Sequence, residues 1–327
     1  MNSKLKFGLL LPHFGEHASV EKCIQGSIIA ERYGFDSVWT RDHLAFTPYR
    51  MEGSDNTHIE GLLVLSAIAA ATKALTVGTA MTICHRHPIH LAQCFAALSQ
   101  VARGKVVMGM GLGGFPHEFT AAGLPSASDQ RAHLARINAE ICRRLWTGEK
   151  VSYHDSYYDF QNVQLKPIPL RPIPILCGGS TQAACRRVIE FGEGWLPARI
   201  TLSVFEKRMA YLCQLSSQSA QTMSTVGVMP LTSIARDRQT ALRYVNVQGL
   251  IDEANRNSNW PKPAGGTFST LDDIRGLVLA GNPQDIVREA QAYQMAGANL
   301  IVFDLRFRYT DWYGQIELLG KEVLSAL

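Results

Sequence analysis

Three times in this chain a helix-like segment stops on a glycine and an apolar strand begins: Arg32-Tyr33-Gly34-Phe35-Asp36, Glu190-Phe191-Gly192-Glu193-Gly194 and Met295-Ala296-Gly297-Ala298-Asn299. Glycine ends a helix at little cost because a left-handed backbone does not strain it. A chain that repeats helix, glycine, strand builds parallel strands joined by helices. Short apolar, β-rich runs predict strands over 5–11, 36–39, 75–83, 106–110, 173–177, 194–197, 225–235 and 298–304. Helical periodicity predicts helices over 20–33, 59–72, 89–102, 129–146, 181–190, 202–218, 239–255, 283–295 and 312–324. Asn282-Pro283 supplies an N-cap and an N1 proline for the eighth of these helices. Eight such beats imply an α/β protein, a (β/α)8 TIM barrel in one domain spanning 1–327. Two stretches interrupt the rhythm: a small hairpin near 151–166 and a long Asn/Pro/Gly-rich loop near 257–272, a candidate lid. An open doubly wound sheet is the runner-up, but no G-x-G-x-x-G follows the first strand, where Pro12-His13-Phe14-Gly15 stands.

Composition removes several classes of function. Of the 327 residues 46% are hydrophobic, enough for one large core. The net charge of +4 comes with no basic run, which argues against nucleic acid or a membrane surface as partner. The longest apolar run, 62–71, is interrupted by Ser66 and falls short of a membrane span. The N-terminal apolar stretch 7–11 is too short for a secretory signal. Seven widely spaced cysteines with no C-x-x-C pair suit reduced thiols in a cytoplasmic protein.

In a barrel the C-terminal strand ends converge on one mouth, where catalytic residues collect. The polar residues delivered there are His13, Asp42, His43, the stretch 79–87, Gly111 to Gly114, and Gly178-Gly179-Ser180. Asp42-His43 reads either as a proton-handling pair or as a capping Asp beside a solvated His. Gly178-Gly179-Ser180 precedes a helix opening at Thr181. It reads either as a phosphate cradle of helical N–H groups and a hydroxyl or as a tight turn with Ser180 as N-cap. Gly109-Met110-Gly111-Leu112-Gly113-Gly114 lacks the dinucleotide spacing and enters Phe115-Pro116 rather than a helix. Its glycines let the chain turn over a flat ligand or over a neighbouring loop. His85-x-His87 with Asp42 or His43 would make a metal-dependent hydrolase, while His87-Pro88 is equally a plain helix lead-in, and no metal is the preferred reading. Phe14, Phe46, Tyr49, His58 and Phe115 suggest a flat or apolar ligand, or ordinary packing.

Taken in order, several short segments resemble the bacterial-luciferase-like flavin and deazaflavin oxidoreductases. They are Gly34-Phe35-Asp36-Ser37-Val38-Trp39, Asp42-His43, Val77-Gly78-Thr79-Ala80, Arg86-His87-Pro88, Gly109-Met110-Gly111, Arg144-Leu145-Trp146-Thr147-Gly148-Glu149, Pro174-Ile175 with Gly178-Gly179, and the closing helix–Gly297–strand. The resemblance implies a (β/α)8 barrel, a dimer or larger, with one reduced isoalloxazine-type ring in the mouth, FMN or the deazaflavin coenzyme F420. It places a non-prolyl cis peptide at Ala80-Met81 behind that ring and the phosphate loop at Gly178, Gly179 and Ser180. Arg131 matches an arginine that assists phosphate binding in some members, and His43 matches the active-site histidine. His13, Thr79 and Gly111 join these as expected cofactor contacts. Two departures stand out. Glucose-phosphate-oxidising members carry a glutamate in the loop after strand four, where this chain has Gly113-Gly114. Luciferases carry an arginine where it has Leu112.

The leading expectation is a two-component monooxygenase. Reduced FMN from a separate reductase, together with molecular oxygen, would oxygenate a small organic substrate. His43 would handle the proton and Asp42 would orient it. The alternative keeps the fold and has coenzyme F420 transfer a hydride, as a dehydrogenase or reductase. A non-catalytic flavin-binding relative is the remaining rival.

Overall fold

Strand β1 (Lys6–Leu10) is buried at four of its five positions, so it lies inside the molecule. The computed structural model describes residues 4–49, 51–219 and 223–327. After β1 come α1 (Val20–Arg32), β2 (Ser37–Thr40), α2 (Gly61–Ala71), β3 (Thr76–Thr79), β4 (Thr82–Ile83) and α3 (Pro88–Val101). They are followed by β5 (Val106–Gly111), α4 (Pro116–Ala121), α5 (Ser128–Trp146) and the antiparallel hairpin β6 (Val151–His154) and β7 (Asp159–Val163). Then come β8 (Ile175–Cys177), α6 (Gln182–Phe191), β9 (Gly194–Trp195), α7 (Leu202–Ser219), β10 (Thr225–Val228), β11 (Leu231–Ile234), α8 (Arg238–Leu242) and α9 (Val247–Arg256). The chain closes with β12 (Val278–Gly281), α10 (Pro283–Met295), β13 (Leu300–Phe303) and α11 (Trp312–Glu322).

Eight parallel strands close a ring, β1-β2-β3-β5-β8-β9-β10-β13 and back to β1. The register runs through Leu9↔Val38, Val38↔Val77, Val77↔Val106 and Gly109↔Leu176, and β13 returns through Phe7↔Ile301. This is the (β/α)8 barrel that the alternation implied. Trp39 fills the barrel interior, and two glycines make room for it. A Cβ on Gly78 would lie 2.5 Å from the Trp39 ring, and one on Gly8 would lie 2.7 Å from its Nε1.

The sequence reading of local structure holds at many ends and fails at several places. Gly34 and Gly297 are left-handed, with φ of 86° and 103°. Gly192 is instead extended, with φ −101°, and its glycine serves space, since a Cβ there would meet Cys177 Sγ at 2.9 Å. The long third strand breaks into β3 and β4 around a cis Ala80-Met81 peptide. The long seventh strand breaks at Pro230, which has no N–H to continue a ladder. Beyond it β11 pairs with β12, a strand the sequence reading omitted, in a separate two-stranded parallel sheet. The helix expected over 239–255 is two helices, because Asn246 caps a new start by accepting the Gly249 N–H at 2.9 Å. Asn282 and Asp285 form a reciprocal capping box at the head of α10.

Candidate active site

At the C-terminal end of the barrel strands lies a cavity of about 610 Å³, whose wall includes Arg41, Ala80, Met81, Gly111, Gly178, Gly179 and Arg187. Met81, which follows the cis Ala80-Met81 peptide, is part of this wall. Met81 accounts for three of the six glycines in two motifs. A Cβ on Gly111 would lie 2.8 Å from Met81 Cβ, one on Gly178 would lie 2.8 Å from its Cγ, and one on Gly109 would lie 2.5 Å from its Sδ. The glycines clear space for a neighbouring side chain first. Thr79 is off this wall: its buried hydroxyl accepts the Gly109 N–H at 3.1 Å and the Thr82 hydroxyl at 2.8 Å, joining β3 to β5.

Asp42 and His43 do not work as the expected pair. The buried Asp42 carboxylate accepts the Ile83 N–H at 2.9 Å and the Arg86 guanidinium at 2.6 Å. Burial pushes this carboxyl up, but the Arg86 bond and charge outweigh it and hold the group below its ordinary value. Asp42 therefore pins the end of β2 to the loop before α3. His43 takes its carboxylate from Glu118, with Nδ1 3.2 Å from Oε1. Its other nitrogen, Nε2, lies 3.0 Å from Arg41 Nη2. Arginine only donates, so Nε2 is the acceptor and Nδ1 carries the proton, a tautomer inferred from the partners. Glu118 is fully buried and also accepts the Leu44 and Ala45 N–H groups at 2.9 and 3.1 Å. Burial raises its carboxyl and the His43 bond and charge lower it further than that, leaving it below the ordinary value.

Glu118 escaped the sequence reading because Phe115-Pro116 looked like a coil. Pro116 is in fact N1 of the short helix α4, and a proline at a helix start was the signal available.

The remaining expected contacts divide. His13 is completely buried, with Nδ1 2.8 Å from the Ile59 carbonyl and Nε2 accepting the Arg41 N–H at 2.9 Å. Burial drives its pKa down to about 3, so the ring is neutral and has no nitrogen left for a cofactor. It positions Arg41 instead. Arg131 donates to the Leu112 and Gly113 carbonyls and holds that loop from behind. The cap of α6 is Thr181, which accepts the Ala184 N–H at 3.1 Å, and not Ser180. Ser180 faces Trp260, whose indole N–H donates to its hydroxyl at 3.1 Å. Arg208 donates to the Ser180 and Asn259 carbonyls at 3.0 and 2.9 Å. The stretch expected as a lid is thus tied to the Gly178–Ser180 loop as a buttress.

Two features lay beyond sequence reading. Arg187, on α6, stands at the cavity wall beside Gly179 without a hydrogen bond or ion pair to the described residues. Opposite it runs an ion network: Glu52 bonds Arg41 at 2.9 Å and also Arg306, Arg306 bonds Asp304, and Arg199 pairs with Glu253 at 3.4 Å. Burial raises the Glu52 carboxyl, but Arg306 and Arg41 bring it down to about 2. For the rival metal reading, no group of three or more possible ligands converges among the described residues, Asp42 is committed to Arg86, and His87 caps α3 by accepting the Ile89 N–H. No helix among the described residues is long and apolar enough to cross a membrane.

The site suits a ring cofactor with a phosphate. The cavity has the volume, the glycine loop leaves backbone bare, and Arg187 is a cation lacking its anion. A family model described as luciferase-like monooxygenase matches residues 11–300. The chain is 25% identical over 307 residues to the F420-dependent glucose-6-phosphate dehydrogenase of Amycolatopsis mediterranei, covering 89% of each. Its fold matches an F420-dependent secondary alcohol dehydrogenase in complex with an F420-acetone adduct, with TM-score 0.80 and 17% identity over 99% of this chain and 100% of that one. It also matches the FMN-bound oxygenating constituent of 3,6-diketocamphane monooxygenase from Pseudomonas putida, with TM-score 0.78 and 18% identity over 99% of each.

Proposed function

The chain belongs to the luciferase-like monooxygenase family of oxidoreductases, and from that premise we propose that it is an F420-dependent dehydrogenase or reductase acting on a small alcohol or carbonyl compound. This reverses the order of the two sequence expectations. The 25% identity to an F420-dependent relative across most of both chains favours it over the FMN monooxygenase. The observation that carries it is His43, held in one tautomer between the buried Glu118 carboxylate and Arg41. That is an acid–base group positioned for a proton that must leave when a hydride leaves.

Gly178, Gly179 and Arg187 would hold the cofactor phosphate, and Ala80 and Met81 would wall the ring. The bound cofactor would supply the carbon that accepts or returns the hydride. In alcohol oxidation His43 would take the O–H proton at Nε2, the nitrogen that lies 3.0 Å from Arg41 Nη2 in the resting site. Glu118 then stabilises the imidazolium through Nδ1–H. The glucose-phosphate activity of the relative is not carried over, because Gly113 and Gly114 line the cavity where those members place a glutamate.

The protein would work in a reducing cytoplasm, in keeping with seven unpaired cysteines, and as the homo-oligomer expected from the resemblance, which light scattering checks. Separate titrations with FMN and with coenzyme F420, oxidised and reduced, test the cofactor while oxygen uptake is recorded. Tight F420 binding without oxygen uptake is the expected result. Tight binding of reduced FMN with oxygen uptake would restore the two-component monooxygenase, with its reductase and molecular oxygen as partners. Binding of neither would sink both.

A further inference from the structure

A second cavity, of about 830 Å³, opens against His43. His58, His85, His87, His90 and His117 share its lining with Thr47, Asn56, Glu60 and Arg86. Its charges are already matched. Arg86 bonds Asp42 and Glu60, each at 2.6 Å, and Glu60 also caps α2 by accepting the Leu63 N–H at 2.8 Å. No unpaired cation or carboxylate lines it among the described residues. Burial lowers the pKa of His58 to about 4 and lowers those of His85 and His87 as well, so these rings are neutral near pH 7.

A neutral imidazole carries one donor and one acceptor, and Asn and Thr also carry both. A phosphate or carboxylate offers only acceptors and asks for cations. A hydroxyl donates and accepts, as this lining does. The Nε2 atoms of His58 and His85 have no hydrogen-bond partner among the described residues, so neither of these nitrogens is tied to another group of the protein. His43 joins this lining to the proton-handling network, and its partner Arg41 lines the first cavity.

We propose that this histidine-lined cavity is the substrate site and that it takes an uncharged polyhydroxylated molecule, a free sugar or alditol, in preference to a sugar phosphate. The proposal rests on reading His43 as the proton-handling residue. It names a substrate class different from the one in the relative's name.

Calorimetric titration of the full chain, without cofactor, with D-glucose, mannitol and glucose 6-phosphate tests it. The expected result is saturable binding of at least one uncharged polyol, with the phosphate ester weaker by roughly tenfold or more, as an unmatched desolvated charge demands. His58→Phe and His85→Leu should each weaken polyol binding by roughly fivefold or more. The milder His58→Gln and His85→Asn keep the reading available should the first pair fold poorly, and both should retain most of the affinity. Tighter binding of glucose 6-phosphate than of glucose would overturn the proposal, and so would failure of both polyols to bind. Because no cofactor is present, a protein that binds polyol but not F420 would refute the activity and leave this site standing.

Discussion

The two walls of the central cavity handle charge in opposite ways. On one side Arg41, Arg199 and Arg306 meet Glu52, Glu253 and Asp304, three cations against three anions. Glu52 and Asp304 are among the most buried acids, with side chains 3% and 1% exposed. On the other side Arg187 stands beside a bare glycine loop with no acid bonded to it among the described residues. Burial holds its pKa below the usual value, as happens to a cation lacking compensation. Matched buried charge is scaffold, because removing one partner strands the other. An unmatched, half-buried cation is waiting for a ligand.

The strongest way to break that contrast is Arg306→Met. It leaves Asp304 and Glu52 short of a partner in the interior and should cost about 3–5 kcal/mol of stability. An unchanged melting temperature would show that the arginine wall is not scaffold. Next comes Glu118→Gln, which keeps the hydrogen bond and removes the charge. Turnover should fall by roughly 10–100-fold, the worth of about 1.5–3 kcal/mol in a charged hydrogen bond, with cofactor affinity unchanged. Wild-type turnover would remove Glu118 from the proton path. Arg187→Met should do the reverse of the Arg306 change: cofactor affinity weakens by roughly tenfold while the melting temperature holds or rises. A large loss of stability in that variant would make Arg187 structural after all.

The remaining test is acid stability. His13 has a folded pKa of about 3 and His58 one of about 4, both below the ordinary histidine value of about 6.5. Between those values the unfolded chain binds protons that the folded chain refuses. Stability should therefore fall as pH drops from about 6.5 towards 3, by up to about 1.4 kcal/mol per pH unit for each group, and level off below. In His13→Gln the slope over that window should flatten. A slope equal to wild type would mean that other groups govern it.

The candidate site was partly legible. The polar residues at the strand ends were identified, and the cis bond sits where the family resemblance put it. The roles were not legible. Asp42 and His43 are neighbours in the chain, yet one is committed to Arg86 and the other to Glu118, 75 residues on. Arg306 reaches Glu52 across 254 residues, and no local spacing announces such a bond. His13 looked like a mouth residue because its position after β1 was right. Only the contacts with Ile59 and Arg41 turn it inward.

What the sequence determined by itself was the alternation: apolar runs of strand length, helical periodicity, glycine stops and proline starts. These arise from backbone sterics and from neighbours within one or two turns, so a linear reading reaches them. A parallel α/β fold follows, since parallel strands joined by helices must bury both faces of the sheet, and the missing G-x-G-x-x-G after the first strand turned the reading from an open sheet to the barrel. Tertiary structure decided which donor meets which acceptor, where Pro230 sends β11 out of the barrel, and which arginine is left without an anion. Those outcomes depend on distances of a few ångströms between residues far apart in the chain, and burial decides how strongly each pairing counts.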